Sequence, residues 1–301
     1  EKIGTPEDLK ALGIPVVLED EPAAAVATAI ERHRPDVVVD LSDEPVVSSR
    51  KRFEFANLIL AYDIPYEGAD FRFDPPRYEK VCQKPSISVG GTGKRVGKTA
   101  VAAFVARALN GRESVAASYT PCIVTMGRGG PPTPEVIDGA TLHLTPEHLL
   151  AESRAGKHAA SDHYEDALMT RLTTIGCRRC GGGFSGVVFT SVVPEGARVA
   201  NGMPCDIIIF EGSGASMPPV ATDAWIMAVG AHQPVEYVTG YLAPYRIKKS
   251  DLCVLTMCEE PLASQQKVRE METALLHVNP SARVVKTIFR PKPLEDIRGE
   301  K

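Results

Sequence analysis

The sequence predicts an α/β protein in which a doubly wound, mainly parallel sheet is preceded by a smaller α/β unit. Two observations lead to this fold class. Short apolar runs alternate with amphipathic stretches along most of the chain, which is the order that produces parallel strands joined by helices. In addition, a glycine-rich segment at residues 90–99 stands between one such run and one such stretch.

The first unit is predicted over residues 1–80, where strand and helix signals alternate in βαβα order. This order favours a small Rossmann-like domain. Residues 71–85, with prolines at 75, 76 and 85, read as the connector to a second domain over residues 81–301. The predicted elements are a strand at Ile14–Leu18, a helix at Pro22–His33, a buried strand at Val37–Val39 ending at Asp40, and a helix at Phe53–Ala61.

The glycine-rich segment, GGTGKRVGKT, follows a β-rich run at Ser86–Val89 and opens a helix whose apolar residues recur at i, i+3, i+4 and i+7 over residues 101–108. This context is typical of a phosphate-binding loop, because backbone N–H groups and the helix N-terminus converge on phosphate oxygens. Lys98 would reach the β- and γ-phosphates, and the Thr99 hydroxyl would bind Mg²⁺. We therefore expect a bound nucleoside triphosphate, contacted by Gly91, Thr92, Gly93, Lys94, Arg95, Val96, Gly97, Lys98, Thr99 and Ala100.

A second segment, DIIIFEGSG at residues 206–214, also indicates a nucleotide site. It is a continuous apolar run that ends in a carboxylate, as expected for a strand that is buried on both faces and delivers an acid to the edge of a parallel sheet. Glu211 is therefore a candidate magnesium-binding or water-positioning residue, the alternative being a carboxylate that caps the next turn. The loop form GTxxxVGKT, with Thr92 in place of the usual first glycine, and the EGxG ending both resemble dethiobiotin synthetase.

The composition limits the classes of protein to which the chain can belong. A chain of 301 residues with 44% hydrophobic content can fill one large or two moderate α/β cores. A net charge of −4 and a pI near 6.0 argue against a general nucleic-acid or membrane-surface binder. Because no apolar run approaches the roughly 20 residues of a membrane span and no signal-peptide pattern opens the chain, we expect a cytoplasmic protein.

The apolar runs beyond residue 85 predict a doubly wound sheet, whose ligands gather at the carboxyl ends of the strands. The loops after these strands are therefore the candidates for an active site. The runs lie at Cys122–Thr125, Gly186–Ser191, Ile207–Phe210, Trp225–Val229, Leu252–Thr256 and Val284–Ile288.

Two segments in this region combine glycine with arginine, namely MGRGGPP at residues 126–132 and TIGCRRCGGG at residues 174–183, both of which read as loops. Arginine between glycines suits bidentate recognition of phosphate or carboxylate, although solvated surface arginines are the alternative. Cys177 and Cys180 lack the two further ligands that a zinc site needs. We expect a second, highly anionic ligand, bound by Arg128, Gly129, Lys157, His158, Arg178 and Arg179.

The motifs together resemble the cyclic 2,3-diphosphoglycerate synthetase family over about residues 5–295. The strings that carry this resemblance include GGTGKRVGKT, MGRGGPP, ASDHYEDAL, GCRRCGGG, EGSGAS, VGAHQP, TGYLAPYR and FRPKPLE. MGRGGPP and GCRRCGGG are specific to the family rather than to phosphate-loop proteins at large. The family pattern also extends beyond both ends of this chain, so we expect that terminal parts are cropped.

The resemblance implies an ATP-dependent ligase that closes an intramolecular phosphoanhydride in 2,3-bisphosphoglycerate and releases ADP and phosphate. It also implies Mg²⁺, a stimulating monovalent cation such as K⁺, and a cytoplasmic homodimer. Two alternatives are a ligase of the dethiobiotin synthetase kind, and a regulatory GTPase or ATPase switch whose output is a conformational change. The residues expected to carry the catalysis are Lys98, Glu211, Arg128, Arg178 and Arg179.

Overall fold

A computed structural model describes residues 13–113, 118–157 and 162–290 of the chain. The chain forms two compact units, one ending at Pro75 and the other beginning at Pro76. The domain boundary between residues 80 and 81 stays a prediction. Within the described residues, no helix is both long enough and apolar enough to cross a bilayer.

In its described residues, the first unit is a small three-stranded sheet with two helices. Strand β1 (Val38–Val39) pairs in parallel with β2 (Tyr66–Glu67), and β3 (Arg72–Phe73) pairs with β2 in the antiparallel direction. The helix predicted at Pro22–His33 is confirmed, and the second helix begins earlier than predicted, because the Ser48 side chain accepts a hydrogen bond from the backbone N–H of Lys51 and caps it. The elements are α1 (Pro22–His33), β1 (Val38–Val39), α2 (Ser49–Ala61), β2 (Tyr66–Glu67) and β3 (Arg72–Phe73).

One strand prediction in this unit is wrong, and a second is correct for the strand but wrong for its burial. Ile14–Leu18 forms no strand, and the side chains of Ile14 and Leu18 are exposed. The run contains Pro15, which lacks the N–H that pairing with a neighbouring strand requires. The strand predicted as buried at Val37–Val39 does form over its last two residues, but Val39 is half exposed, because β1 lies in a small sheet rather than between two helical layers.

Asp40, which follows β1, has a structural role. Its carboxylate accepts hydrogen bonds from Tyr66 Oη at 2.7 Å, from Arg52 Nε at 3.0 Å and from the backbone N–H of Ser42 at 2.8 Å. Burial raises the pKa of Asp40, but the hydrogen bonds from Ser42, Tyr66 and Arg52 outweigh it and lower the pKa to about 2. The carboxylate therefore ties the end of β1 to α2 and β2.

We expect Asp40→Asn to destabilise the protein by about 2 kcal/mol at pH 7, because the charged hydrogen bonds are lost. A lowered native pKa contributes stability above the unfolded-state pKa of 3.8, and this stability disappears as the pH falls through about 2. The difference in unfolding free energy between wild type and variant should therefore shrink as the pH falls from 4 to 2. Urea unfolding followed by circular dichroism measures it, and a difference that is constant over this range contradicts the assignment.

In the part that the structure describes, the second unit is built on a nine-stranded sheet in the order β12-β11-β10-β4-β9-β5-β7-β6, with β8 paired to β7. All neighbours are parallel except β6 and β8, which run antiparallel to β7. The strands are β4 (Ser86–Gly91), β5 (Pro121–Gly127), β6 (Glu135–Asp138), β7 (Thr173–Cys180), β8 (Thr190–Ser191), β9 (Ile207–Glu211), β10 (Ala224–Gly230), β11 (Leu252–Thr256) and β12 (Arg283–Lys286).

Helices cover both faces of this sheet. Neighbouring residues of β5 show it most directly, since Val124 belongs to a core with α6 (Val193–Asn201) whereas Ile123 belongs to a core with α3 (Lys98–Leu109). The predicted doubly wound, mainly parallel sheet is therefore confirmed. The helices are α3 (Lys98–Leu109), α4 (Pro146–Arg154), α5 (Asp162–Thr170), α6 (Val193–Asn201), α7 (Glu236–Thr239), α8 (Ala243–Lys248) and α9 (Gln265–Val278).

The sheet corrects the sequence prediction in one important place. The sequence predicts a loop over residues 174–183, but Thr173–Cys180 is an interior strand of the sheet, between β5 and β6. The predicted strand at Gly186–Ser191 is reduced to the two residues of β8. Glycine and arginine in β7 suggest a loop, yet Gly176 is where the ring of His163 packs against the strand, at a site where a Cβ atom would clash.

Candidate nucleotide and anion site

The phosphate loop, residues 90–99, connects β4 to α3 as the sequence predicts. Gly97 is the N-cap of α3 with a φ of +83°, and the ring of Phe289 fills the space that a Cβ would occupy. Only glycine fits there. Thr92, which replaces the usual first glycine, is buried and its hydroxyl donates to Gln233 Oε1, so the substitution leaves no unsatisfied polar group.

Lys98 is the first residue of α3 and is 8% exposed. Its Nζ donates to the carbonyl of Gly93 at 2.7 Å, which keeps the ammonium beneath the loop. Burial lowers the pKa of Lys98, while the negative charges of Glu211 and Asp162 act in the opposite direction. A cation at a helix N-terminus, surrounded by backbone donors, suits the phosphates of a nucleotide.

Glu211 ends β9 at the carboxyl edge of the sheet, as predicted, and is 3% exposed. The Thr99 hydroxyl donates to Glu211 Oε1 at 2.6 Å, so the two residues expected to hold magnesium lie in contact. Next to them is Asp166 on α5, which is fully buried and accepts a hydrogen bond from the Thr125 hydroxyl at 2.6 Å. The four side chains come from two strands and two helices.

The two acids form a buried carboxylate pair. Burial, and then the nearby Asp166, raise the pKa of Glu211 well above its ordinary value, and burial also raises the pKa of Asp166, to about 6. The two carboxyl groups hydrogen-bond to each other, with Glu211 carrying the proton, and no other described residue donates to Glu211 Oε2 or Asp166 Oδ1.

Two carboxyl groups beside a threonine hydroxyl are a donor set that fits a hard cation such as Mg²⁺, which would replace the proton between them. Nowhere in the described ranges are three His, Cys, Asp or Glu side chains grouped to hold a metal, so such a site depends on two carboxylates and a hydroxyl.

A cleft of about 700 Å³, which we call the first cleft, opens directly beside the phosphate loop. Three of its residues are cations, and glycines at residues 181–183 bring further backbone N–H groups to it. The first cleft is lined by Thr92, Gly93, Lys94, Arg128, Arg179, Cys180, Gly181, Gly182, Gly183, Gly214, Ala215, Ser216 and Tyr237.

Arg179 and Arg128 both line this cleft. Arg179 is 8% exposed, and its guanidinium donates to the carbonyls of Gly181 at 2.6 Å and Ser213 at 2.9 Å. Burial, and then the positive charge of Arg128, lower the pKa of Arg179. Two arginines that line one cleft, one of them hydrogen-bonded through its guanidinium to carbonyl groups, favour a bound anion.

Arg178 points to the opposite face of β7 and lines a second cleft of about 560 Å³. Its Nε donates to the carbonyl of Gly130 at 2.5 Å. Lys157 lies in the same cleft but forms ion pairs with Glu135 at 2.7 Å and Glu152 at 2.8 Å, so its charge is already balanced.

The residues expected to bind one anionic ligand are therefore divided. Arg128 and Arg179 line the first cleft, whereas Gly129, Lys157 and Arg178 line the second. His158 lies outside the described residues. Within the phosphate loop, Lys94 lines the first cleft, Arg95 is exposed and lines neither cleft, and Ala100 follows Thr99 in α3.

Sequence reasoning misses two buried charged residues. Asp166 stands out in the sequence only as part of an acidic cluster, and its place beside Glu211 depends on how α5 packs against β5. Arg246 on α8 is 5% exposed and donates to the carbonyls of Gly91 and Ala215. An arginine among the apolar residues of a short helix is the one available signal for it.

This combination of loop, buried lysine and strand-end carboxylates defines a nucleotide-binding protein of the P-loop class. Two family models match the chain, the cyclic 2,3-diphosphoglycerate synthetase P-loop domain over residues 86–288 and the N-terminal domain of the same enzyme over residues 1–74. The chain belongs to the cyclic 2,3-diphosphoglycerate synthetase family, which confirms the resemblance seen in its motifs.

Curated relatives carry the same name. The protein from Methanothermus fervidus is 46% identical over 294 residues, which are 96% of this chain and 63% of the relative. The protein from Rubrobacter xylanophilus is 49% identical over 299 residues, 99% of this chain and 66% of the relative. This chain thus spans about two thirds of the length of these relatives. Family membership does not favour the dethiobiotin-synthetase-like or regulatory-switch alternatives.

Solved structures resemble the fold only distantly. The hydrogenase maturation factor HypB from Archaeoglobus fulgidus aligns with 14% identity and a TM-score of 0.41, covering 68% of this chain and 81% of that one. HypB from Helicobacter pylori, in complex with nickel, aligns with 12% identity and a TM-score of 0.39, covering 67% and 78%. Structural similarities this weak support no conclusion about function.

Proposed function

We propose that the protein catalyses the ATP-dependent cyclisation of 2,3-bisphosphoglycerate to cyclic 2,3-diphosphoglycerate, with release of ADP and phosphate. One observation carries the proposal. The first cleft is lined by residues of the phosphate loop together with Arg128 and Arg179, so a second polyanion bound there lies beside the nucleotide phosphates. Two polyanions repel each other, and fixed cations between them offset that repulsion.

In the proposed reaction, an oxygen of one substrate phosphate attacks the γ-phosphorus of ATP in line, and the bond to ADP breaks. An oxygen of the neighbouring substrate phosphate then attacks the phosphorus that carries the transferred group. This second step closes the ring and expels inorganic phosphate. Phosphate is already an anion, so the protein supplies positioning and charge stabilisation rather than proton transfer.

The roles of the side chains follow from their places. Lys98 stabilises charge that develops on the transferred group, while Arg128 and Arg179 hold the substrate phosphates. Thr99, Glu211 and Asp166 would hold Mg²⁺, which supplies Lewis-acid neutralisation of phosphate charge when bound. Homodimeric assembly, a cytoplasmic location and stimulation by K⁺ complete the proposal, and the family resemblance supports them.

The direct test measures ADP release with and without 2,3-bisphosphoglycerate and follows the product by ³¹P NMR. We expect ADP release to depend on the acid and to match the appearance of a cyclic phosphoanhydride. Slow release that is independent of the acid would instead indicate a switch, and release stimulated only by a carboxylate or amine substrate would indicate another ligase.

Arg179→Gln should lower kcat/KM for 2,3-bisphosphoglycerate about a hundredfold, because a buried guanidinium facing the substrate is lost. Arg178→Gln is the matched control, since it removes the same group from the preceding residue of the same strand but from the other cleft. We expect Arg178→Gln to change kcat/KM less than about threefold. Steady-state kinetics of both variants measures this, and equal losses would refute the assignment of the substrate to the first cleft.

A further inference from the structure

Arg246 is a buried cation that the reaction described above does not use. No carboxylate of the described residues lies within ion-pair distance of its guanidinium, and Arg246 Nε has no hydrogen-bond partner among them. The partners that it does have are two carbonyls, those of Gly91 at 3.2 Å and Ala215 at 3.1 Å. An unpaired buried charge is costly and is rarely kept without a counter-charge.

The two carbonyls place this charge under the first cleft. Gly91 ends β4 immediately before Thr92, and both Thr92 and Ala215 line the cleft. Arg246 thus bridges the start of the phosphate loop and the loop after Glu211. Its stem is fixed as well, because Gly186 packs so closely against Arg246 Cδ that a Cβ atom there would be 3.0 Å away.

We propose that Arg246 is a positioning residue whose counter-charge is the polyanion bound in the first cleft. It holds the two loops together through their carbonyls, and its positive charge acts on phosphate groups from beneath the floor of the cleft. The burial of Arg246 lowers its pKa only to about 10, so it stays protonated at neutral pH. This inference rests on the proposed function, because it adds a cation to the same anion site.

The test is the affinity of the full chain for inorganic tripolyphosphate, measured by isothermal titration calorimetry without turnover. We expect Arg246→Gln to weaken binding about tenfold or more, because the charge is lost, and Arg246→Lys, which keeps the charge, to remain within about threefold of wild type. Arg198→Gln is the matched control, since Arg198 is an exposed arginine of the same unit that pairs with Glu79. It should bind as wild type does.

Two results overturn the proposal. The first is an affinity of Arg246→Gln within threefold of wild type, and the second is an Arg246→Lys variant as weak as Arg246→Gln, which would show that guanidinium shape matters and charge does not. If Arg246→Gln does not fold, Arg246→Met replaces it, with all variants measured in sucrose to favour the folded state. Tripolyphosphate binding is independent of the substrate, so a wild type that binds it but does not cyclise 2,3-bisphosphoglycerate refutes the proposed function alone.

Discussion

Replacing Lys98 with methionine should reduce ADP release by a factor of about a hundred to a thousand. The ammonium is buried at the N-terminus of α3 and is held under the loop by the carbonyl of Gly93. Methionine keeps much of the volume of the side chain and removes its charge. The fall in the rate of ADP release therefore measures the loss of charge stabilisation rather than a collapse of the loop. Nucleotide affinity should fall less than the rate, because loop N–H groups still bind the phosphates.

Lys267→Met is the matched control for this change. Lys267 lies on α9, away from the loop, and pairs with Glu270 on the same helix. It should leave ADP release unchanged. Measuring release over a few minutes with saturating ATP and 2,3-bisphosphoglycerate compares the three proteins. If Lys98→Met kept more than about a tenth of the wild-type rate, Lys98 would not be the residue that stabilises the transferred phosphate.

The second large effect concerns Asp166 and Glu211, whose changes should act on activity and stability in opposite directions. Asp166→Asn or Glu211→Gln should reduce magnesium-dependent turnover about a hundredfold, because one ligand of the cation is lost. Without magnesium, the same variants should be more stable than wild type by about 1–3 kcal/mol, because burial and mutual repulsion disfavour the two carboxylates at neutral pH.

Thermal unfolding with EDTA and then with added Mg²⁺ measures the stability part. The wild type should gain stability from Mg²⁺, and the two variants should gain much less. Glu195→Gln, which changes an exposed acid on α6, should behave as wild type does in both measurements. A variant that loses stability in EDTA, or that keeps its response to Mg²⁺, would show that the pair is not a cation site.

The phosphate loop can be predicted from the sequence because its conformation depends on residues that are close together in the chain. A strand, a run of glycines and an amphipathic helix follow one another, and the positions of Lys98 and Thr99 in that order determine where they lie. Glu211 is predictable for the same reason, since an apolar run ending in an acid places the carboxylate at the sheet edge. Both lie where the motif places them, whereas their chemical roles stay predictions.

Asp166 and Arg246 cannot be predicted in this way, because each reaches the site across a contact between distant elements. Asp166 contacts Thr125, which lies 41 positions away in the sequence, and Arg246 contacts Gly91, which lies 155 positions away. The sequence shows their chemistry but not their neighbours. The sequence of β7 resembles a loop because glycine and arginine are common in loops, while its pairing with β5 outweighs that local preference.

The alternation of side chains along β7 has a consequence for engineering. The adjacent residues Arg178 and Arg179 project into different clefts, so a substitution at either one alters one cleft and leaves the other intact. Deleting a single residue upstream in β7 would exchange the two faces, sending each guanidinium to the wrong side while leaving the rest of the amino-acid composition unchanged. Deletion scanning should therefore be far more damaging here than point replacement, and directed evolution of either cleft is best confined to libraries of fixed length.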